Sequence, residues 1–105
     1  MAKKRELSQF AYLLRPAFDQ AFMASAGERE QAVVQAHGEY LAGLHRDGKL
    51  VFAGRCFDGP FGIVVIEAEN ETEARALVHS DPSIVAGVQT AELHPFKVAL
   101  IGAPT

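Results

Sequence analysis

Two residues in this chain could handle protons together: His37 and Asp81. An imidazole titrates closer to neutral pH than any other side chain, which suits general acid/base catalysis. The alternative for His37 is a core histidine with one ring nitrogen bonded to a backbone carbonyl. The residue pattern alone favours that alternative, because histidines are often partly buried and their nitrogens are then paired.

Asp81 lies in the stretch "SDPSIVAGV", residues 80–88. Aspartate is a preferred N-cap, and proline is favoured at the first helical position that follows. The cap of a short helical turn therefore explains Asp81 without any chemistry. The two roles are compatible, because a cap uses one carboxylate oxygen and the other can still orient an imidazole.

The elements that must position these residues follow from periodicity and turn signals. Strands are predicted over 9–16, 50–57, 61–68 and 88–101, and helices over 28–46 and 69–80. Asp58-Gly59-Pro60 predicts a hairpin turn between the two middle strands. This order predicts an α+β, ferredoxin-like βαββαβ fold, with a four-stranded antiparallel sheet and two helices on one face.

The first helix directs His37 toward the sheet. Val33, Tyr40 and Leu44 stand four before, three after and seven after His37. Spacings of three, four and seven share one helix face, so His37 is predicted to lie on the apolar face of that helix.

Composition limits the function classes. The chain has 105 residues, of which 49% are hydrophobic, so a single domain over 1–105 is expected, with its core at about 9–100. A net charge of −3 argues against nucleic-acid binding. One cysteine, no signal peptide and no membrane-spanning stretch predict a cytoplasmic protein with no membrane partner. The second sheet face is largely apolar, which predicts a homodimer packed sheet to sheet.

The segments "AHGEYLAGLHRDGKLVFAG", "GIVVIEAENETEARALVHSDPSIVAGV" and "AELHPFKV" resemble the YciI-like (YCII-related) family over about residues 9–100. The resemblance implies a ferredoxin-like fold related to the dimeric α/β barrels, dimerising through the sheets. It implies an active-site pair whose positions fall on His37 and Asp81. It also implies lyase, isomerase or ring-dehalogenation chemistry on a small molecule, by analogy with relatives that act on hydroxylated aromatic rings.

One departure from the family pattern concerns the end of the second strand. Family members often carry "AGP" there, whereas this chain has Ala53-Gly54-Arg55-Cys56. Arg55 could bind a carboxylate or phenolate, or it could point to solvent. Tyr12 and Arg15 in the first strand are further candidates for substrate contact. Cys56 is expected to be a structural thiol, and the sequence shows no motif for a metal or a cofactor.

Two functions remain open at this point. The first is a small cofactor-free enzyme in which His37 is the general acid/base, Asp81 orients it and Arg55 contacts an anionic small-molecule substrate. The alternative is a non-catalytic dimeric module, a ligand-binding or accessory protein. An open pocket that includes both side chains favours an enzyme, whereas a filled interior favours the module.

Overall fold

The computed structural model describes residues 7–17, 27–58 and 61–102. The strands are β1 (Ser8–Pro16), β2 (Leu50–Arg55), β3 (Gly62–Ala68) and β4 (Gln89–Phe96). The helices are α1 (Glu28–Arg46), α2 (Glu71–His79) and α3 (Pro82–Val85). The strands form one antiparallel sheet in the order β2-β3-β1-β4, which is the predicted ferredoxin-like arrangement.

The core lies between the helices and one face of the sheet. In β1 the even-numbered residues face the helices, and Tyr12 is flanked by Val64 of β3 and Leu93 of β4. The buried cluster consists of Phe10, Tyr12, Leu14, Leu44, Val64, Ile66, Ala68, Ala74 and Val78. Because β1 is central, its helix-facing side chains are covered on every side.

Helix α1 rests on this core mainly through its C-terminal half. Leu44 is buried and Tyr40 and Leu41 pack against the core, whereas Val34, nearer the N-terminus, is 50% exposed. The helix ends as the sequence predicts, with Gly48 in the left-handed region at φ 76°. The N-terminal half of α1 therefore stands off the sheet, and space remains beneath it.

The α2–α3 segment turns sharply at Asp81. Asn70 caps α2 by accepting a hydrogen bond from the Glu73 N–H at 2.8 Å. Asp81 then adopts extended backbone angles, φ −67° and ψ 123°, which separate α2 from the short α3. Extended geometry is favoured before a proline, so Pro82 fixes this corner.

Two predicted strand ends were wrong. Strand β2 ends at Arg55 and β4 at Phe96, both earlier than predicted. The strand register explains why β4 ends at Phe96, because Phe96 pairs with Gln9 next to the start of β1. Beyond it, the Val98 N–H donates to the Gln9 side chain at 2.7 Å instead of continuing the ladder. Residues 18–26 and the 59–60 part of the predicted turn lie outside the described residues.

The second sheet face is partly exposed in a single chain: Ala11 and Val65 on it are buried, whereas two phenylalanines are not. Phe52 and Phe96 are 39% and 42% exposed there. A homodimer through this face stays a prediction.

Among the residues that the structure describes, no helix is both long and apolar enough to cross a membrane.

Candidate active site

His37 of α1 and Asp81 before α3 meet directly. The His37 Nδ1 atom lies 2.8 Å from each carboxylate oxygen of Asp81. An ionised carboxylate only accepts hydrogen bonds, so Nδ1 carries the hydrogen and donates it. The other ring nitrogen, Nε2, then keeps its lone pair, and it has no hydrogen bond to any described residue. His37 is thus held in the tautomer that a general base requires.

Asp81 is fully buried and receives hydrogen bonds from three residues. The Ser83 N–H and hydroxyl donate to Oδ1 at 2.9 and 2.8 Å. The Tyr12 hydroxyl donates to Oδ2 at 3.2 Å, and His37 bridges both oxygens. The bond from the Ser83 N–H is the predicted helix cap. Asp81 therefore caps α3 and holds the imidazole at the same time.

The surroundings of Asp81 favour its charged form. Burial acts to raise its pKa, but the hydrogen bonds from His37 and Ser83 outweigh burial, and the pKa lies below its ordinary value. Burial and the Asp81 charge raise the pKa of Tyr12 well above its usual range, so that hydroxyl stays protonated and remains a donor.

The lowered pKa of Asp81 predicts a loss of stability in acid. The unfolded chain binds this proton near pH 3.8, whereas the folded chain binds it only at lower pH. The stabilisation by Asp81 is therefore complete above that pH and is lost as the pH falls through the folded pKa. We expect Asp81→Asn to lose less unfolding free energy than wild type between about pH 5 and pH 3. Urea titrations at both pH values measure this, and equal losses would contradict it.

A cavity of about 580 Å³ opens beneath the N-terminal half of α1. Val34, His37 and Leu41 line it on the helix side, and the ends of β1 and β2 and the starts of β3 and β4 line the rest. Small-molecule sites in proteins usually measure about 300–1,000 Å³. The side chain of His37 is 17% exposed, and Asp81 holds its Nδ1 edge, so the Nε2 edge is available to a bound molecule.

Arg55 and Cys56 line the same cavity. The Arg55 guanidinium lies 5.7 Å from the centre of the Phe57 ring, at the end of β2 where the family pattern has a proline. Cys56 is an exposed free thiol. The cavity lining thus includes an imidazole and a cation, and Phe57 beside that cation is 93% exposed.

The residues that line the cavity include neither Tyr12 nor Arg15. Tyr12 is fully buried with Phe10 and Leu14, and its hydroxyl is bonded to Asp81 beneath the cavity. Arg15 is one residue out of phase with them, so it lies on the opposite sheet face, 5.0 Å from the centre of the Phe61 ring. Tyr12 positions Asp81, and Arg15 is not part of the cavity wall.

Sequence reasoning missed Ser83 and Gln89. Ser83 follows Asp81 by two positions, where a carboxylate commonly bonds the backbone, and this spacing was a usable signal. Gln89 lines the cavity from the first position of β4. Nothing in its neighbourhood in the sequence indicates this.

Among the described residues no group of three or more potential ligands could hold a metal ion.

A family model for the YCII-related domain matches residues 9–97. The chain belongs to the YCII-related family. The resemblance seen in the sequence is thereby confirmed. A comparison of this YCII-related protein with curated proteins gives no significant match.

This YCII-related protein is similar in structure to the 5-chloro-2-hydroxyhydroquinone dehydrochlorinase of Burkholderia phenoliruptrix, solved in complex with 2,5-dihydroxybenzoquinone. The TM-score is 0.62 at 19% sequence identity, and the match covers 84% of this chain and 93% of that chain. At this identity the likeness shows a common fold.

Proposed function

We propose that this YCII-related protein is an enzyme that moves protons on a small molecule, with His37 as general acid/base and Asp81 as its orienting group. The observation that carries the proposal is that His37 lines a cavity of about 580 Å³ while a buried carboxylate holds its Nδ1. A ring nitrogen with a free lone pair in such a cavity can take a proton from a bound molecule.

The chemistry follows from the two ring nitrogens. Nε2 of His37 takes a proton from a substrate O–H or C–H group, and the Asp81 charge stabilises the imidazolium that forms. Return of the proton to another substrate atom gives an isomerisation. Departure of a leaving group with the electron pair, as a halide ion, gives an elimination. The proposal therefore covers lyase, isomerase and dehalogenation reactions and includes no cofactor.

The cavity walls favour a small aromatic substrate. Phe57 and Phe61 border the cavity, and Arg55 supplies a cation that suits a phenolate or a carboxylate. The structurally similar dehydrochlorinase acts on a hydroxyhydroquinone, which is a molecule of this class. These features support a hydroxylated aromatic ring as the substrate.

Two assays test the proposal. The first follows chloride release from 5-chloro-2-hydroxyhydroquinone without oxygen, and the second follows ring-proton exchange of hydroxylated benzenes in D₂O by NMR. We expect saturable release or exchange above the uncatalysed rate. Absence of both contradicts the proposal. Ligand binding without either reaction would indicate the alternative function, a non-catalytic binding or accessory module.

The proposed anion contact of Arg55 has its own test. Arg55→Gln is expected to weaken binding of 2,5-dihydroxybenzoate about tenfold or more, because a charge-assisted hydrogen bond is lost. Arg75→Gln is the matched control, since Arg75 is an exposed arginine on α2 that pairs only weakly with Glu71 at 3.6 Å. Calorimetric titration measures both affinities. An unchanged Kd in Arg55→Gln would mean that Arg55 points to solvent.

A further inference from the structure

Gln89 is a polar residue of the cavity that the proposed proton chemistry does not use. Gln89 lines the cavity, and its Oε1 atom is buried without a hydrogen-bond partner in the part of the chain that the structure describes. The backbone around it is fixed, because Gln89 pairs with Pro16 and the Ala17 N–H donates to the Val88 carbonyl at 2.9 Å. The unpaired oxygen is therefore not the result of a loose strand end.

The polar groups around Asp81 differ from Gln89 in this respect. The Asp81 oxygens, the Tyr12 hydroxyl and the Ser83 hydroxyl are all hydrogen-bonded. Buried polar atoms in folded proteins are nearly always paired, because an unmade bond leaves the cost of desolvation uncompensated. An acceptor left unpaired in the wall of a cavity is accounted for if a bound molecule supplies the donor.

We propose that Gln89 Oε1 accepts a hydrogen bond from a hydroxyl group of the bound molecule. Gln89 is then a specificity-determining residue of the site. The inference rests on the proposed function and deepens it. The terminal torsion of a glutamine is soft, so rotation of the amide can turn the oxygen from the wall toward the ligand.

This assignment narrows the ligand class. An amide oxygen accepts only from a donor, whereas the Arg55 guanidinium only donates and suits an ionised oxygen. The preferred ligand therefore carries two oxygen substituents in different states, one ionised and one protonated. Contacts at two points fix which atom of the ring faces Nε2 of His37, and a symmetric or singly substituted ring lacks this orientation.

A matched pair of ligands tests the inference. 2,5-Dihydroxybenzoate and 2-hydroxy-5-methylbenzoate differ only in a hydroxyl or a methyl group of similar size at ring position 5. We expect wild type to bind the dihydroxy compound about tenfold more tightly, which corresponds to one neutral hydrogen bond. In Gln89→Met the ratio of the two affinities is expected to fall to about one. Thr90→Val, at the next position but on the opposite sheet face, should keep the wild-type ratio.

A second measurement needs no ligand. Methionine has nearly the length of glutamine and no acceptor oxygen, so Gln89→Met loses no hydrogen bond from Oε1 in the free protein. Its Tm is therefore expected to equal or exceed that of wild type. A fall of about 5 °C or more would overturn the inference, because it would show that the amide already stabilises the fold.

The ligand results separate this inference from the proposed function. A wild-type ratio near one, or a ratio that Gln89→Met leaves unchanged, overturns the role of Gln89 alone. If neither compound binds wild type, the ligand class is wrong and the inference is overturned with it. The chloride-release and exchange assays decide the proposed function independently.

Discussion

Replacement of His37 by asparagine is expected to lower turnover by about 10²–10⁴-fold and to leave the protein folded. The asparagine amide can donate to Asp81 much as Nδ1 does, so the buried carboxylate keeps a partner on that side. Asparagine has no titratable nitrogen to replace Nε2, so proton transfer is lost. The variant thus separates the chemical role of the imidazole from its structural role.

The measurement is kcat in the chloride-release or exchange assay, with Tm determined on the same samples. His45→Asn is the matched control, because His45 is an exposed histidine near the end of the same helix. It should change neither quantity. Wild-type turnover in His37→Asn would exclude His37 as the general base, and a loss explained by unfolding alone would give the proposal no support.

Replacement of Asp81 by alanine is expected to have the largest effect on stability, about 3–5 kcal/mol of the unfolding free energy. The change leaves the Tyr12 hydroxyl, the Ser83 hydroxyl and the His37 Nδ1–H without their shared acceptor. It also removes the cap of α3. Hydrogen-bond donors buried without a partner carry the full cost of desolvation, which explains the size of the effect.

Asp81→Asn is the companion variant that separates the charge from the cap. Asparagine caps helices as well as aspartate does, so we expect a loss of only about 1–2 kcal/mol. Turnover should still fall about tenfold or more, because the imidazolium loses its charged partner. Denaturant titrations and kcat of both variants are the readouts. Equal stability losses in the two variants would show that the cap contributes little and that the carboxylate charge accounts for the effect.

Much of the scaffold could be predicted because local patterns encode it. The spacing of apolar residues predicted helix α1 over 28–46, as observed, and placed His37 on its inward face. Gly48 and the Asp81-Pro82 pair marked turns that few other residues can form. The pairing of His37 with Asp81 required more than local patterns, because two distant segments meet only once the sheet is assembled. The family resemblance supplied that pairing.

The remaining features depend on geometry that no local pattern records. The sequence offers both Tyr12 and Arg15 as candidates for substrate contact, but the two-residue period of β1 buries Tyr12 and places Arg15 on the opposite face. The cavity exists because the first half of α1 stands off the sheet, which its apolar residues do not reveal. Gln89 becomes relevant only because β4 begins at that cavity.

Asp81 both caps α3 and holds the His37 imidazole, and this affects how such a site can be lost during evolution. A lineage that no longer needs the reaction could replace His37 by asparagine, which still donates a hydrogen bond to the buried Asp81 carboxylate. The same lineage would keep Asp81, because α3 still requires its cap and Tyr12 and Ser83 their acceptor. The aspartate should therefore outlast the activity. Among related chains with this fold, the presence of the histidine, rather than of the aspartate, would distinguish active enzymes from chains that have lost the activity.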